Sequence, residues 1–425
     1  MPVESPRTSS LPTASSLLRH GETGQCHQSN SKRLFHTDLD THCQPPRLLP
    51  ELLPLVFKDL DEDELRSVAL VCKEWTAAAQ AELFRVIATD YWEVIERYNR
   101  HFAAHPKLGS LVKEIRVIIE AEFQNPNSVG VSHDQLATML SLTPEVRILK
   151  LGNLISLGDT ERKMMAGLKR VEELSLFCSN LNYVDKYEIG AFAEMLSHWT
   201  QLRKVTLRSV QFHKSKGIPS IPPPSFSTLN LFGSRFFDDE LSWLLSESQG
   251  SLRSFEYVEL KEVGDDLGGM LARLFGGGQA APSAQVTASG LVTLVGQVGS
   301  SLSSLHLGVE SLRPIHIASM LSKTPQLVSL AIPLISIDPT ALSSAPRSLR
   351  RLQLYLMPKS SLVTPEATEA AVSSLKQADF RSLEKLVVSS IYGGGAYPRF
   401  EDDLREIAES TGVSIWFHDR HFHYW

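Results

Sequence analysis

From Val112 to the C-terminus, apolar residues recur in one phrase, apolar-x-x-apolar-x-apolar, with polar residues in between. It opens with Val112-Ile115-Val117 and continues through copies centred on Leu149, Leu174, Val205, Leu229, Phe255, Leu305, Leu330, Leu352 and Leu386, ending in a weaker copy with Ile415 and Phe417. In most copies a polar residue separates the last two apolar positions, the period of a strand with one buried face. Between copies lie stretches with apolar residues at helical spacing: Asp134–Leu142, Arg162–Leu168, Ile189–Trp199, Asp239–Ser246, Leu291–Val298, Ile315–Leu321, Ala367–Leu375 and Leu404–Glu409. Strand is thus predicted to alternate with helix.

Successive copies are 22 to 34 residues apart, with one interval of 50. One strand and one helix cannot bury their apolar faces alone, so stacking of neighbours into a parallel solenoid is favoured over a compact α/β domain with leucine-rich strands. The phrase and its spacing resemble leucine-rich repeats, although the asparagine expected after the strand is replaced at Leu154, Ser179, Val210, Ser234, Leu260 and Ile335. The predicted fold class is α/β, with an irregular solenoid over residues 110–425 and a parallel sheet on its concave face. The long interval reads as a loop insertion near 261–289 around one short helix, Met270–Phe275. Lys214–Pro224 is proline-rich and predicted to be extended.

Upstream the period changes. Glu51–Leu60 carries Leu52, Leu53, Val56, Phe57 and Leu60 at helical spacing, and Leu65–Ile87 carries Leu65, Val68, Ala69, Cys72, Trp75, Ala79, Leu83 and Ile87. Asp61 with Glu64 predicts a capping box, and Pro50 and Pro54 suit a helix entry and first turn. Residues 47–88 read as a small helical module whose thin core calls for a further covering surface. Tyr91–Pro106 adds a helix within a linker, 89–109.

The elements Leu49-Pro50, Glu51-Leu52-Leu53, Val56-Phe57, Leu60, Glu64-Leu65 and Val71-Cys72-Lys73-Glu74-Trp75 resemble the F-box pattern, in register over most of its length. Pro50 abuts Glu51 where that family has an intervening residue. An F-box followed by degenerate leucine-rich repeats resembles the large fungal F-box families. The resemblance implies a non-catalytic substrate-recognition subunit of a ubiquitin ligase. Leu49, Pro50, Leu52, Val56, Phe57, Leu60, Leu65, Cys72 and Trp75 would dock on a Skp-type adaptor and through it a cullin. The solenoid would then bind the target protein. The alternative from another class is a leucine-rich-repeat scaffold with no role in ubiquitin transfer.

Composition narrows this little further. A hydrophobic share of 42% with 21% charged residues is that of a globular protein, and a net charge of −6 gives no reason to expect nucleic acid or an anionic membrane. Cys26, Cys43, Cys72 and Cys178 have no CxxC spacing, and neither a signal segment nor a membrane-length apolar run occurs, so the expected location is cytoplasmic or nuclear. Residues 1–46, rich in Ser, Thr, Pro and His, are predicted to be a disordered leader.

No catalytic, phosphate-loop or dinucleotide motif occurs, and no cofactor is expected. His418, His421 and His423 with Asp419 could ligate a metal, but a tail covering the last repeat is the better reading. The leader's His27, His36 and His42 with Cys26 and Cys43 fit no zinc spacing. Strand alternation points Arg116, Lys150, Phe177, Arg208, Phe232, Glu256, Val258, His306, Arg351, Gln353, Tyr355, Trp416 and His418 away from the core. Of these, Phe177, Arg208, Phe232, Glu256, His306, Arg351, Tyr355 and Trp416 are the candidate target-binding residues, since aromatic and arginine side chains dominate interface energies.

Overall fold

Each apolar phrase becomes a strand that hydrogen-bonds the next strand of the solenoid. The computed structural model of the chain describes residues 49–118, 129–152, 165, 167–177, 186–213, 218–259, 286–309, 311–356, 365–377, 382–390 and 398–419. Its strands are β1 (Val86–Thr89), β2 (Glu114–Ile118), β3 (Ile148–Gly152), β4 (Glu173–Phe177), β5 (Lys186–Glu188), β6 (Lys204–Arg208), β7 (Gln211–His213), β8 (Thr228–Phe232), β9 (Ser254–Val258), β10 (Ser304–Gly308), β11 (Ser329–Pro333), β12 (Arg351–Leu356), β13 (Lys385–Ser390) and β14 (Ser414–Asp419). Twelve of them form one sheet in chain order, while β5 and β7 pair separately. All of these pairings are parallel.

The register lays the central apolar residues in one row. Ile87, Ile115, Leu149, Leu174, Val205, Leu229, Phe255, Leu305, Leu330, Leu352, Leu386 and Ile415 are successive cross-strand partners. All but Ile415 are buried, and Ile415 packs against the same core. Helices from the intervening segments supply the other side of that core: Leu136, Met139 and Leu140 from Val129–Leu142, Leu196 from Ile189–Ser197, Leu294 from Ala288–Val298 and Leu404 from Pro398–Thr411. Each full burial of such a side chain contributes about 1.5–3 kcal/mol, which is why the row persists where turn sequences drift.

The repeats also share a backbone device where the strands begin. The Arg85 carbonyl accepts from the amides of both Lys113 and Glu114, Lys113 accepts from Arg147 and Ile148, and Arg147 accepts from Glu172 and Glu173. The same double acceptance recurs at Glu172, Arg203, Ser227, Arg253, Ser303, Val328 and Arg350. In place of an asparagine ladder, buried hydroxyls satisfy the turns. Ser301 Oγ donates to the Leu252 carbonyl at 2.8 Å, Ser336 Oγ to Leu312 at 3.1 Å, and Ser248 Oγ accepts the Phe226 amide at 2.8 Å. Buried backbone groups need partners, and at these turns a short hydroxyl supplies them without a fixed motif.

The N-terminal module has its own small core of Leu53, Phe57, Leu65 and Ala79, with Leu60, Val68, Ala69, Trp75, Ala78 and Leu83 packed around it. A 3-10 turn, Pro50–Leu52, leads into α1 (Leu53–Phe57), followed by α2 (Glu62–Val68) and α3 (Lys73–Leu83). Pro54 falls in the first turn of α1, where a missing amide hydrogen costs nothing. Asp61 caps α2 as predicted: its carboxylate accepts the Glu64 amide at 2.8 Å and Glu64 accepts the Asp61 amide at 3.0 Å. Asp61→Ala should destabilise α2 by about 1 kcal/mol, seen as faster hydrogen exchange of its first-turn amides.

Two predicted boundaries shift. The helix expected to run from Leu65 to Ile87 breaks at Ala69–Cys72 and ends at Leu83, because Val86–Thr89, with β-branched Val86, Ile87 and Thr89, joins the sheet as β1. Residues 89–109, expected as a helical linker, do form a helix, α4 (Trp92–Ala104), but its Ile95 and Phe102 belong to the main core. The sheet therefore begins before residue 110. Burial first, and then the Glu62 carboxylate, push the Tyr98 hydroxyl of α4 above its ordinary value, with Arg66 opposing.

The leader, the Met270–Phe275 helix, most of the 261–289 insertion, most of Arg162–Leu168 and the tail beyond Asp419 lie outside the described residues. Cys26, Cys43 and Cys178 also lie outside them, as do Leu154, Ser179 and Leu260. Among the described residues, no helix is long and apolar enough to cross a membrane.

Candidate functional surfaces

The apolar residues of the N-terminal module point two ways. Leu53 and Phe57 are four apart, share one face of α1 and are each 2% exposed. Leu52 and Val56 share another face of this segment, and they are exposed together with Leu49 and Leu55, the last 68%. A second exposed strip, Leu70 and Val71, follows α2, with Leu70 88% exposed. Among the described residues, six of the twelve large exposed apolar side chains fall within the 23 residues from Leu49 to Val71. That concentration marks a surface that water covers at a cost, and such surfaces mark interaction sites.

The predicted adaptor-docking residues divide accordingly. Leu49, Leu52, Val56 and Cys72 are exposed, whereas Phe57 and Leu65 lie in the module's core and Leu60 and Trp75 are half-buried against it. Phe57 meets Trp75 edge to face, with ring centroids 5.6 Å apart. Nothing is described of the Pro50 side chain. Cys72, expected on an apolar helix face, is instead the extended, exposed residue before α3, and its carbonyl accepts the Thr76 hydroxyl at 2.9 Å. Leu55, Leu70 and Val71 were not predicted. Their signal was the surplus of apolar residues in LLPLVF and at Leu70-Val71, more than one face of each short helix can bury.

The second surface is the open face of the sheet. Its middle row runs Ala88, Arg116, Lys150, Ser175, Thr206, Asn230, Glu256, His306, Ala331, Gln353, Val387 and Trp416. The predicted outward residues fall on this row or on the two flanking it, as strand parity requires. Phe177, Arg208, Phe232, Glu256 and His306 are half-buried and Arg351 is exposed. Trp416 is 58% exposed, with the Lys385 ammonium 4.3 Å from its ring centroid. Tyr355 and Val258 face outward too but are buried by neighbours on the same face. The Tyr355 ring stacks on His306 at 4.8 Å between centroids, its hydroxyl meets the His306 imidazole, and the other His306 nitrogen meets Glu256. Tyr355 therefore positions His306 rather than standing ready as a free anchor. His418 shares the row of Tyr355 and Ser389 by register.

Charge on this face is mostly paired. Glu114 accepts Arg116 Nε at 2.6 Å and lies 3.0 Å from Lys150 Nζ, and Lys204 lies 3.2 Å from Glu173. Burial pushes the Glu114 carboxyl up, but the hydrogen bonds and charges of Arg116 and Lys150 outweigh it and hold the carboxyl below its ordinary value. A carboxyl depressed in the folded state stabilises above its unfolded value and stops doing so as pH falls through the folded one. With both cations partly exposed, the contribution is about 0.5–1 kcal/mol. Glu114→Gln should lower the melting temperature at pH 7, and the gap from the unsubstituted chain should close under acid.

No cluster of three or more metal-ligating side chains occurs among the described residues. No family model matches the chain, and no curated protein matches it. Among solved structures the chain is similar to one titled "Crystal structure of Rad7 and Elc1 complex in yeast", at 16% identity and a TM-score of 0.30, covering 86% of this chain and 92% of that one. A likeness of that size carries no argument for fold or function.

Proposed function

We propose that the chain is the substrate-recognition subunit of a ubiquitin ligase of the Skp-adaptor, cullin and F-box type. The observation that carries this reading is the exposed apolar surface at Leu49, Leu52, Leu55, Val56, Leu70 and Val71, which falls within the segment whose residues resemble an F-box. A module with so thin a core gains by covering that surface, and a groove on the adaptor would do so. The open sheet face, with Arg351, Lys385 and Trp416 at one end and half-buried Phe177 and Phe232 further along, offers mixed charge and aromatic area suited to a target protein.

In this role the chain supplies proximity and no reacting group. Holding a target beside a ubiquitin-loaded enzyme raises the effective concentration of its lysines. Recovery of the tagged full chain from its native cell tests the reading. Adaptor and cullin together support it, while adaptor without cullin, or a bound target whose lifetime is unchanged on deletion of the chain, favours a scaffold outside ubiquitin transfer.

A further inference from the structure

We propose that Ile218–Pro222 is a docking segment for a second protein whose aromatic groove reads two aliphatic-proline pairs in polyproline II form, a groove of the SH3 type. The segment reads Ile218-Pro219-Ser220-Ile221-Pro222, so the pairs Ile218-Pro219 and Ile221-Pro222 are three residues apart. Three residues make one turn of polyproline II, which sets both isoleucines on one ridge and both prolines on the next. Such grooves take these ridges in adjacent aromatic pockets.

The structure holds this segment out from the solenoid. Ile218 is 51% and Ile221 39% exposed, Ser220 and Pro222 are exposed and Pro219 is half-buried. A core position would hide these isoleucines, as Ile87 and Ile115 are hidden. The far end is clamped: the Ile221 carbonyl accepts the Trp243 indole N–H at 3.0 Å, and Pro223 is buried. Phe226 is buried as well, with its amide bound to Ser248 Oγ. A groove that reads proline pairs followed by an exposed aromatic finds no such residue here, which favours the two-pair groove.

Each proline fixes its own φ and pushes the residue before it towards extended backbone. Ser220 is therefore the one residue of the five with neither constraint, and the chain bends at Ser220 and Ile221. Docking straightens it there. Ser220→Pro should pre-organise the straight form and tighten binding, by the general gain from rigidity in the bound shape.

The test is binding of the purified full chain to an array of purified SH3 domains, with WW domains as the competing class. At least one SH3 domain should bind. Pro219→Ala with Pro222→Ala should weaken that interaction by about tenfold or more, and Ile218→Ser should weaken it with the melting temperature unchanged. Ser220→Pro should strengthen it. No binding by any SH3 domain, binding by WW domains alone, or equal binding by the Ile218→Ser chain would overturn the proposal.

Discussion

A chain carrying Leu52→Asp and Val56→Asp is expected to fold normally and lose its adaptor. Both side chains are exposed, so in the free protein the new carboxylates stay in water and stability changes little. In an apolar contact the same carboxylates would be buried without partners, a penalty of several kcal/mol and about a hundredfold or more in affinity. Phe57→Asp gives the contrasting result. Phe57 fills the module's core beside Leu53, Leu65 and Trp75, so its replacement should unfold α1 before any partner is met. Binding isotherms with a purified Skp-type adaptor, read beside thermal melts, separate the two effects. Retained binding by the double variant would remove the surface from the account.

The largest effect on the solenoid itself is expected at Trp199. It is fully buried after helix Ile189–Ser197, and its indole N–H donates to the Met165 carbonyl at 2.9 Å. Trp199→Ala removes the ring and the bond together, for a cost of about 3–5 kcal/mol. Trp199→Phe keeps most of the volume but leaves the carbonyl short of a donor, for about 1–3 kcal/mol. Denaturant unfolding measures both. Because each repeat leans only on its neighbours, hydrogen exchange should rise first in β4 and β6. Equal losses in the two variants would mean that the hydrogen bond contributes the whole effect.

The repeating sheet was legible because the phrase encodes both strand position and parity. Once Leu305 and Leu307 face the core, His306 must face away, and the same rule places Arg116, Lys150 and Trp416. Ile87 escaped because it also lies four residues beyond Leu83, so helical and strand periods both fit. Only Phe84, three places before it, carried the strand phrase. Which outward residues are exposed was not legible, since burial of Tyr355 depends on the His306 ring two strands away. Nor could periodicity tell Phe57 from Val56. Both are apolar and adjacent, and only the packing of α1 on α3 decides which one turns inward.

The proposed adaptor site is the surface at Leu49–Val56 and Leu70–Val71. Hydrogen exchange of the purified full chain, with and without saturating adaptor, reads this directly. Slower exchange is expected in the Leu49–Phe57 segment and the Leu70–Cys72 turn alone, with the amides of β8 to β12 unchanged. Protection on the sheet alone, or none at all at saturation, would contradict it.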